Sequence, residues 1–423
     1  MTDLTKQTMA LEGLKVLDLS RVLAGPWATQ MLADLGADVV KVESVLRGDD
    51  TRAWGPPFIT KPDGSKGEAA YFSCANRNKR SITIDFSKPE GASLIQDLSR
   101  QADIIVENFK VGGLKKYGLD YKSLKKVNPK LIYCSITGFG QTGPYSHRLG
   151  YDFLIQGMGG LMSITGQPGT LPGGEPMKVG VAICDLFTGM NAGSAILAAL
   201  LFRERTGKGQ HIDCSLLDAQ VSMLANQASN WLNGDVVPNR MGNSHPNVIP
   251  YRAFASSDGH LIITCGNDAQ FKRLCDALGM PEIPTDPKYV SNEARLTNRA
   301  ALESRLQTVL IKMKKKEIID LLEAVDVPCG PINTLPEVFA DPQVMARETE
   351  VELRRSDGAI IKTVAFPAKL EESPATYRRP PPMLGENTDE ILQDWITLNE
   401  QQIKVLREKK VIGPEKDQFF SLA

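Results

Sequence analysis

Short aliphatic, β-branched runs alternate with helix-like stretches through the first third of the chain, and this rhythm narrows the fold more than any other property. LKVLDL at 14–19 leads into a turn with Gly25 and Pro26, a helical pattern over 27–35 and then ADVVKV at 37–42. The pattern returns as a strand at 81–85, a helix at 91–101 and ADIIVE at 102–107, followed by a helical 114–126 and KLIYCS at 130–135. Strand, helix and strand in succession read as βαβ units on a parallel sheet. The fold class expected for roughly the first 200 residues is therefore a doubly wound α/β domain.

Beyond this region, nine glycines between Gly138 and Gly169 indicate loops where backbone approaches a ligand or another chain. LFTGMNAGSAILAALLFR at 186–203 is almost continuously small and apolar and predicts a buried helix, followed by a turn at 206–210, a strand at 211–215 and a helix at 216–232. Gly, Asn and Pro dominate 233–250, which reads as a linker into a second region. There the pattern predicts a strand at 261–265, a helix at 269–278, one or two charged helices over 299–322 and an edge strand or loop at 327–332. Pro380, Pro381 and Pro382 mark a rigid extended segment ahead of an amphipathic helix from Thr388.

Composition serves mainly to exclude. Hydrophobic residues at 42% and charged residues at 23% fit a soluble globular enzyme. Lys+Arg 49 against Asp+Glu 50 leaves a net charge of −1, so no nucleic-acid or membrane-surface partner is expected and any anion must be held by a local site. Seven cysteines without a CxxC pair suggest neither a metal centre nor a disulfide framework, and fit a reducing, cytoplasmic compartment. The N-terminus reads as neither a secretory nor a transit signal, and no run of 18 uninterrupted apolar residues suggests a membrane span. GxGxxG after a strand, GxxxxGK[ST], HExxH and GxSxG are all missing, and there are only four histidines. The chemistry then falls to a carboxylate.

Asp185, in VGVAICDLFTGM, is the outstanding candidate: a lone acid amid apolar residues at the start of the long apolar helix. It is either the helix N-cap or a nucleophile, and the two are compatible, because N-terminal amides would keep the carboxylate ionised. Arg77, Lys79 and Arg80 in NRNKR, and Asn108, Phe109, Lys110, Lys115 and Lys116 after ADIIVE, are basic clusters at strand boundaries. They read either as solvated charge runs or as two halves of a polyphosphate site at the strand ends of an open sheet. RVLAGP at 21–26 is a turn directly after a strand, and His245 in GNSHPN lies in the linker.

Taken together, EGLKVLDLSRVLAGP, GDDTRAWGPPF, NRNKRSI, ADIIVENF, GFGQTGP, GYDFLIQ, GVAICDLFTGM and RTGKGQHIDCSLLD resemble the class III CoA-transferases over nearly the whole chain. The resemblance implies a large Rossmann-like CoA-binding domain begun by residues 1–225 and completed by 341–423, with a small domain and linkers at 226–340. It also implies an interlocked-ring homodimer and no permanently bound cofactor, the CoA thioester being a substrate. Asp185 falls at the family's nucleophile, expected to pass through an acyl anhydride and an aspartyl-CoA thioester. Position by position, Val22, Leu23, Ala24, Ile84, Asn108, Phe109, Lys116, Tyr151 and Asp152 match CoA contacts, joined in this reading by Arg77 and Lys79. Ser44 stands where the family has an Arg, and Arg47 is expected to substitute for it.

The loop GNSHPNVIPYRAF reads closer to the succinyl-CoA:glutarate branch than to the glycine-rich loop of formyl-CoA transferases. The expected reaction moves CoA from a donor such as succinyl-CoA to a small dicarboxylic acid such as glutarate. Arg52, Arg240, Asn243 and His245 are the candidates for the acid's distal carboxylate. Oxalate or formate CoA-transferases of the family and acyl-CoA racemases are the alternatives, a racemase needing a base for which His147 is the nearby candidate. The expected compartment is cytoplasmic, or mitochondrial in a eukaryote.

Overall fold

The computed structural model describes residues 8–414. Two compact units emerge: one from the residues up to Leu161, Val179–Ala228 and Met345 onward, the other from Met162–Lys178 and Ser229–Val344. The glycine-rich stretch after Leu161 thus goes with the second unit, which the boundaries drawn from sequence did not include. Hydrogen bonds explain why: Gly242 N–H donates to the Gly166 carbonyl at 2.9 Å, and the Arg240 guanidinium donates to the Gly174 carbonyl at 2.8 Å.

In the first unit, strands β1 (Lys15–Asp18), β2 (Asp38–Glu43), β3 (Lys79–Thr83), β4 (Ile104–Glu107), β5 (Ile132–Thr137) and β6 (His211–Ser215) form one six-stranded sheet. Every pairing is parallel and the order is β3-β2-β1-β4-β5-β6, so the winding reverses between β1 and β4. Both faces are covered, which is why the strands read as nearly continuous apolar runs. Leu17, Val40, Ile82, Ile105 and Tyr133 face a core shared with helix α2 (Pro89–Gln101) and with Ile391, Leu392 and Trp395 from the C-terminal segment. Their neighbours Val16, Val39, Ile104 and Ile132 face helix α1 (Ala24–Asp34) and the long apolar helix, extending to the opposite core. Each fully buried aliphatic side chain of this kind contributes about 1.5–3 kcal/mol.

After β4, a single helix over 114–126 does not form; a 3₁₀ turn at Lys115–Tyr117 and helix α3 (Tyr121–Val127) take its place, because Gly118 adopts a left-handed conformation at φ 67°. Helix α4 (Asp152–Met158) precedes the long helix α5 (Ile183–Thr206), and α6 (Leu216–Ser222) follows β6. Helix α5 packs against α1 so closely that a Cβ on Gly189 would lie 2.6 Å from the Ala24 carbonyl. This fixes the first turn of α5 beside the start of α1.

By length and composition α5 could cross a membrane, with a mean hydropathy of 1.4 over a window that is 44% buried, although no uninterrupted apolar run predicts it. Thr188, Gly189, Ala192 and Ile196 are buried in the first unit, while Met190, Leu201 and Phe202 are exposed on the helix's other side.

The second unit carries a small antiparallel sheet of Tyr251–Ser256, Gly259–Thr264 and Cys329–Pro331, so 327–332 contains an edge strand. Two helices, Arg299–Leu310 and Lys315–Glu323, fill the charged stretch and bury Leu302, Leu306, Ile318 and Leu322.

Candidate active site

Open parallel sheets bind ligands beyond the carboxyl ends of their strands, where the strand order reverses. Two cavities lie there. One, of about 410 Å³, is lined by Val22, Leu23 and Ala24 after β1, by Asn108, Phe109 and Lys116 after β4, and by Tyr151 and Asp185. The other, of about 420 Å³, lies against the ends of β2 and β3 and is lined by Ser44, Leu46, Ile84 and Ser87. Arg21, Phe86 and Phe109 line both, so the two form a single trough across the strand ends.

The turn after β1 is held in an unusual backbone shape. Val22 has φ 70°, a left-handed conformation that a β-branched residue adopts only under restraint. Its N–H donates to both carboxylate oxygens of Asp49 at 3.2 Å, and Asp49 pairs with the buried Lys41 Nζ at 2.8 Å. Burial would raise the Asp49 pKa, but Lys41 outweighs it and holds the carboxyl at about 2. Across the trough, the Asn108 side chain exchanges hydrogen bonds with the Arg21 backbone, accepting from its N–H at 3.0 Å and donating to its carbonyl at 2.7 Å. The loops after β1 and β4 are thus clasped together.

Asp185 is the third residue of α5, whose N-cap is Ala182, so it is not the helix cap. Nor do the helix amides keep its pKa low: burial first, and the negative charge of Asp152 second, push its carboxyl up to about 7. No cation or hydrogen-bond donor engages that carboxylate among the described residues. Asp152 sits at the start of α4 and is itself occupied, accepting the Cys184 N–H at 2.7 Å and the Gln156 amide at 2.7 Å. It therefore holds the first turn of α5 and does not line the cavity. Arg21, Lys110, Lys116 and Arg148 stand among the lining residues.

Four cations expected at the site are elsewhere. Lys79 is the first residue of β3, at the opposite end of the strand from the trough, wholly buried and paired with Asp18 at 3.0 Å. Arg77 binds Asp34 through two bonds of 2.9 and 2.6 Å, and Arg80, also on β3, binds Asp38, Glu390 and Asp394. Arg52 grips Glu43 with bonds of 2.8 and 2.7 Å and donates to the Pro382 carbonyl, a structural clamp with no free face for a substrate carboxylate. Each of these cations is taken up by a carboxylate of the fold, and sequence proximity to a strand does not reveal that pairing.

Arg47 is exposed on the turn after β2, between lining residues Leu46 and Gly48, without itself lining the second cavity. Arg240, Asn243 and His245 belong to the second unit. Arg240 is engaged with the Gln167 and Gly174 carbonyls; Asn243 lines a separate cavity with His260 and Lys315; His245 accepts the Asn247 N–H at 3.0 Å. His147 is exposed and no histidine lines the Asp185 cavity among the described residues, so the base a racemase would need is not beside Asp185. Arg148 was missed, although a cation three residues before Tyr151 in SHRLGYD is a visible signal.

With this geometry in place, the chain's relatives can be compared. The profile of CoA-transferase family III matches residues 11–388. The chain is 51% identical over 398 residues to succinate–glutarate CoA-transferase of Agrobacterium fabrum, covering 94% of this chain and 98% of that protein. It is 42% identical to succinyl-CoA:glutarate CoA-transferase of Mus musculus, covering 94% and 88%. Among solved structures, a CaiB/BaiF family protein from Brucella suis superposes with a TM-score of 0.81 at 50% identity, covering 92% of this chain and 100% of that one.

Proposed function

The chain belongs to CoA-transferase family III, and on that premise we propose that it exchanges CoA between succinyl-CoA and a small dicarboxylic acid such as glutarate. The observation that carries the reading is the unpaired Asp185 carboxyl in the wall of a trough at the strand-order reversal. A carboxylate raised to about 7 is more basic than an ordinary aspartate, and so a stronger nucleophile, while still ionised in part at neutral pH. Asp185 attacks the succinyl thioester carbon and expels CoA thiolate, leaving a mixed anhydride. The thiolate then attacks the Asp185 carbonyl, which releases succinate and forms an aspartyl-CoA thioester. Glutarate attacks that thioester, and the thiolate returns to the glutaryl carbonyl, giving glutaryl-CoA and free Asp185. Each step exchanges one acyl bond for another, and no net proton is consumed.

In this reading the CoA chain lies along the trough. Val22, Leu23, Ala24 and Tyr151 contact the pantetheine end near Asp185; Asn108, Phe109 and Lys116 lie between; Ile84 lines the adenine end, with Arg47 at its edge as a phosphate partner. Asp152 acts through Asp185 by tuning its charge. The exposed apolar side chains Met190, Leu201 and Phe202 on α5, at 55%, 66% and 40% exposure, are read as part of a homodimer interface. A panel of acceptor acids supplied with succinyl-CoA, read by the mass of the CoA products, tests the specificity. Glutaryl-CoA is the expected product, and exclusive formation of oxalyl-CoA or formyl-CoA overturns the dicarboxylate assignment.

A further inference from the structure

Behind the loop that follows β4 lies another cavity, of about 260 Å³, with Glu107, Ser135 and His211 among its lining residues. Glu107, the last residue of β4, is 6% exposed and pairs with no cation among the described residues. It lies opposite Ser135 of β5. Ser135 Oγ is 2.9 Å from His211 Nε2 on β6. The His211 ring is stacked on Tyr121 with centroids 5.1 Å apart and meets the edge of Tyr133 at 5.6 Å. The order matters: serine stands between carboxylate and imidazole, whereas a hydrolytic triad needs the imidazole in the middle. The cluster is therefore not a second nucleophile.

Glu107 accepts the Phe109 N–H at 2.8 Å, closing the turn directly after β4. The neighbouring Asn108 is the residue clasped to the Arg21 backbone, and the Phe109 ring packs edge-on against Phe86 at 5.7 Å. Lys110, Val111 and Leu114 line both this cavity and the Asp185 cavity, so one loop separates them.

We propose that Glu107 is a positioning residue for the CoA thioester: its carboxylate, bonded to the Phe109 N–H, holds the 108–117 loop in the shape that lines the Asp185 cavity. This rests on the reading of that cavity as the thioester site. Burial pushes the Glu107 carboxyl up to about 7 against the bonds from Ser135 and Phe109, so the ionised brace weakens as pH falls through neutrality. The other charged groups around it are Lys110 and Lys115 on the loop, Asp120 and Lys122 at the start of α3, and Asp213 on β6 beside His211. None is placed to replace the Phe109 bond.

Glu107→Gln keeps an acceptor for the Phe109 N–H but cannot ionise. The expected result is a KM for succinyl-CoA up to about tenfold higher at alkaline pH, because the Phe109 bond loses its charge assistance. The wild-type rise in KM on acidification through pH 7 should vanish in the variant, with kcat nearly unchanged. Amide exchange over 108–117 in the ligand-free protein should be faster in Glu107→Gln than in wild type at alkaline pH, and Glu107→Asp, which keeps the charge, should retain the pH dependence. Unchanged KM and exchange in Glu107→Gln overturn the proposal, as does a raised KM whose pH dependence persists, which would mark a merely structural role. If wild-type protein does not bind CoA by calorimetry, it is the substrate reading that fails, and this role with it.

Discussion

Asp18 and Asp185 are both enclosed carboxyls of the first unit, and their environments drive them in opposite directions. Asp18, at the end of β1, has no exposed surface; burial alone would raise its pKa, but Lys79 and Lys41 outweigh that and hold it below the usual range. Ser20 and Thr29 also donate to it. Asp185 meets burial and the like charge of Asp152, with nothing opposing them, and rises to about 7. The difference teaches where this chain commits its buried cations. They lock strand ends and turns in place, Lys41 through Asp49 to the Val22 turn and Arg52 to Glu43, while Asp185, the proposed nucleophile, is left without a counter-ion. A pairing cation there would stabilise the resting carboxylate and blunt the proposed attack on a thioester.

The sharpest way to break this contrast is Asp185→Asn. Transfer turnover should fall by at least about 10³-fold, because the covalent route disappears. Stability should move the other way. The folded pKa of Asp185 lies above its unfolded value, so its ionisation weighs against the folded state progressively from about pH 4 to about 7. The variant should therefore match the wild-type Tm near pH 4 and exceed it by a few degrees above pH 7, by differential scanning calorimetry; an equal or lower Tm at pH 8 would contradict the unpaired environment.

Asp18→Asn is the mirror experiment. It leaves Lys79 buried without its partner and should cost about 3–5 kcal/mol of unfolding free energy, read from urea midpoints. A change below 1 kcal/mol would mean that the Asp18 network is not the lock described. Asp49 adds a pH signature of the same sign. Its folded pKa is depressed to about 2, so the stability it contributes is complete above about pH 4 and lost as pH falls from there toward 2.

A smaller effect sharpens the account of Asp185 itself. Its ionised form attacks, so kcat/KM should rise with pH and level off above about 7. Asp152→Asn removes the like charge, and the limb should move to lower pH; a limb that stays in place would assign the Asp185 shift to burial alone. The smallest effect expected is that of Arg47→Ala. Losing one exposed phosphate partner should raise the KM for CoA thioesters only a few-fold, in line with the roughly 0–1 kcal/mol of solvated ion pairs. An unchanged KM would remove Arg47 from the site.

Much of the first unit was readable in advance, because the alternation of aliphatic runs and helical stretches is carried by consecutive residues. Val16, Val39 and Ile104 against Leu17, Val40 and Ile105 alternate between the two cores as an enclosed parallel sheet requires. The lining residues Val22, Asn108, Phe109 and Asp185 were likewise visible as a turn after one strand, a polar segment after another and an isolated acid. Arg52, Arg77 and Lys79 were misjudged because a cation bound for a ligand and one bound for a buried acid look alike in one dimension. Glu107 drew no notice because the residues that share its cavity, Ser135 and His211, lie on two other strands.

Local order and the place of the acid that lines the cavity, Asp185, were thus written into short stretches of residues, each needing only its neighbours to be expressed. The charge state of that acid was not. A carboxyl's affinity for its proton sums the surrounding dielectric and every nearby charge, and folding brings those charges from far along the chain: Lys79 reaches Asp18 across 61 positions, and Asp152 reaches the first turn of α5 across 32. Which cations were spent on acids, and which acid was left alone, is a result of packing.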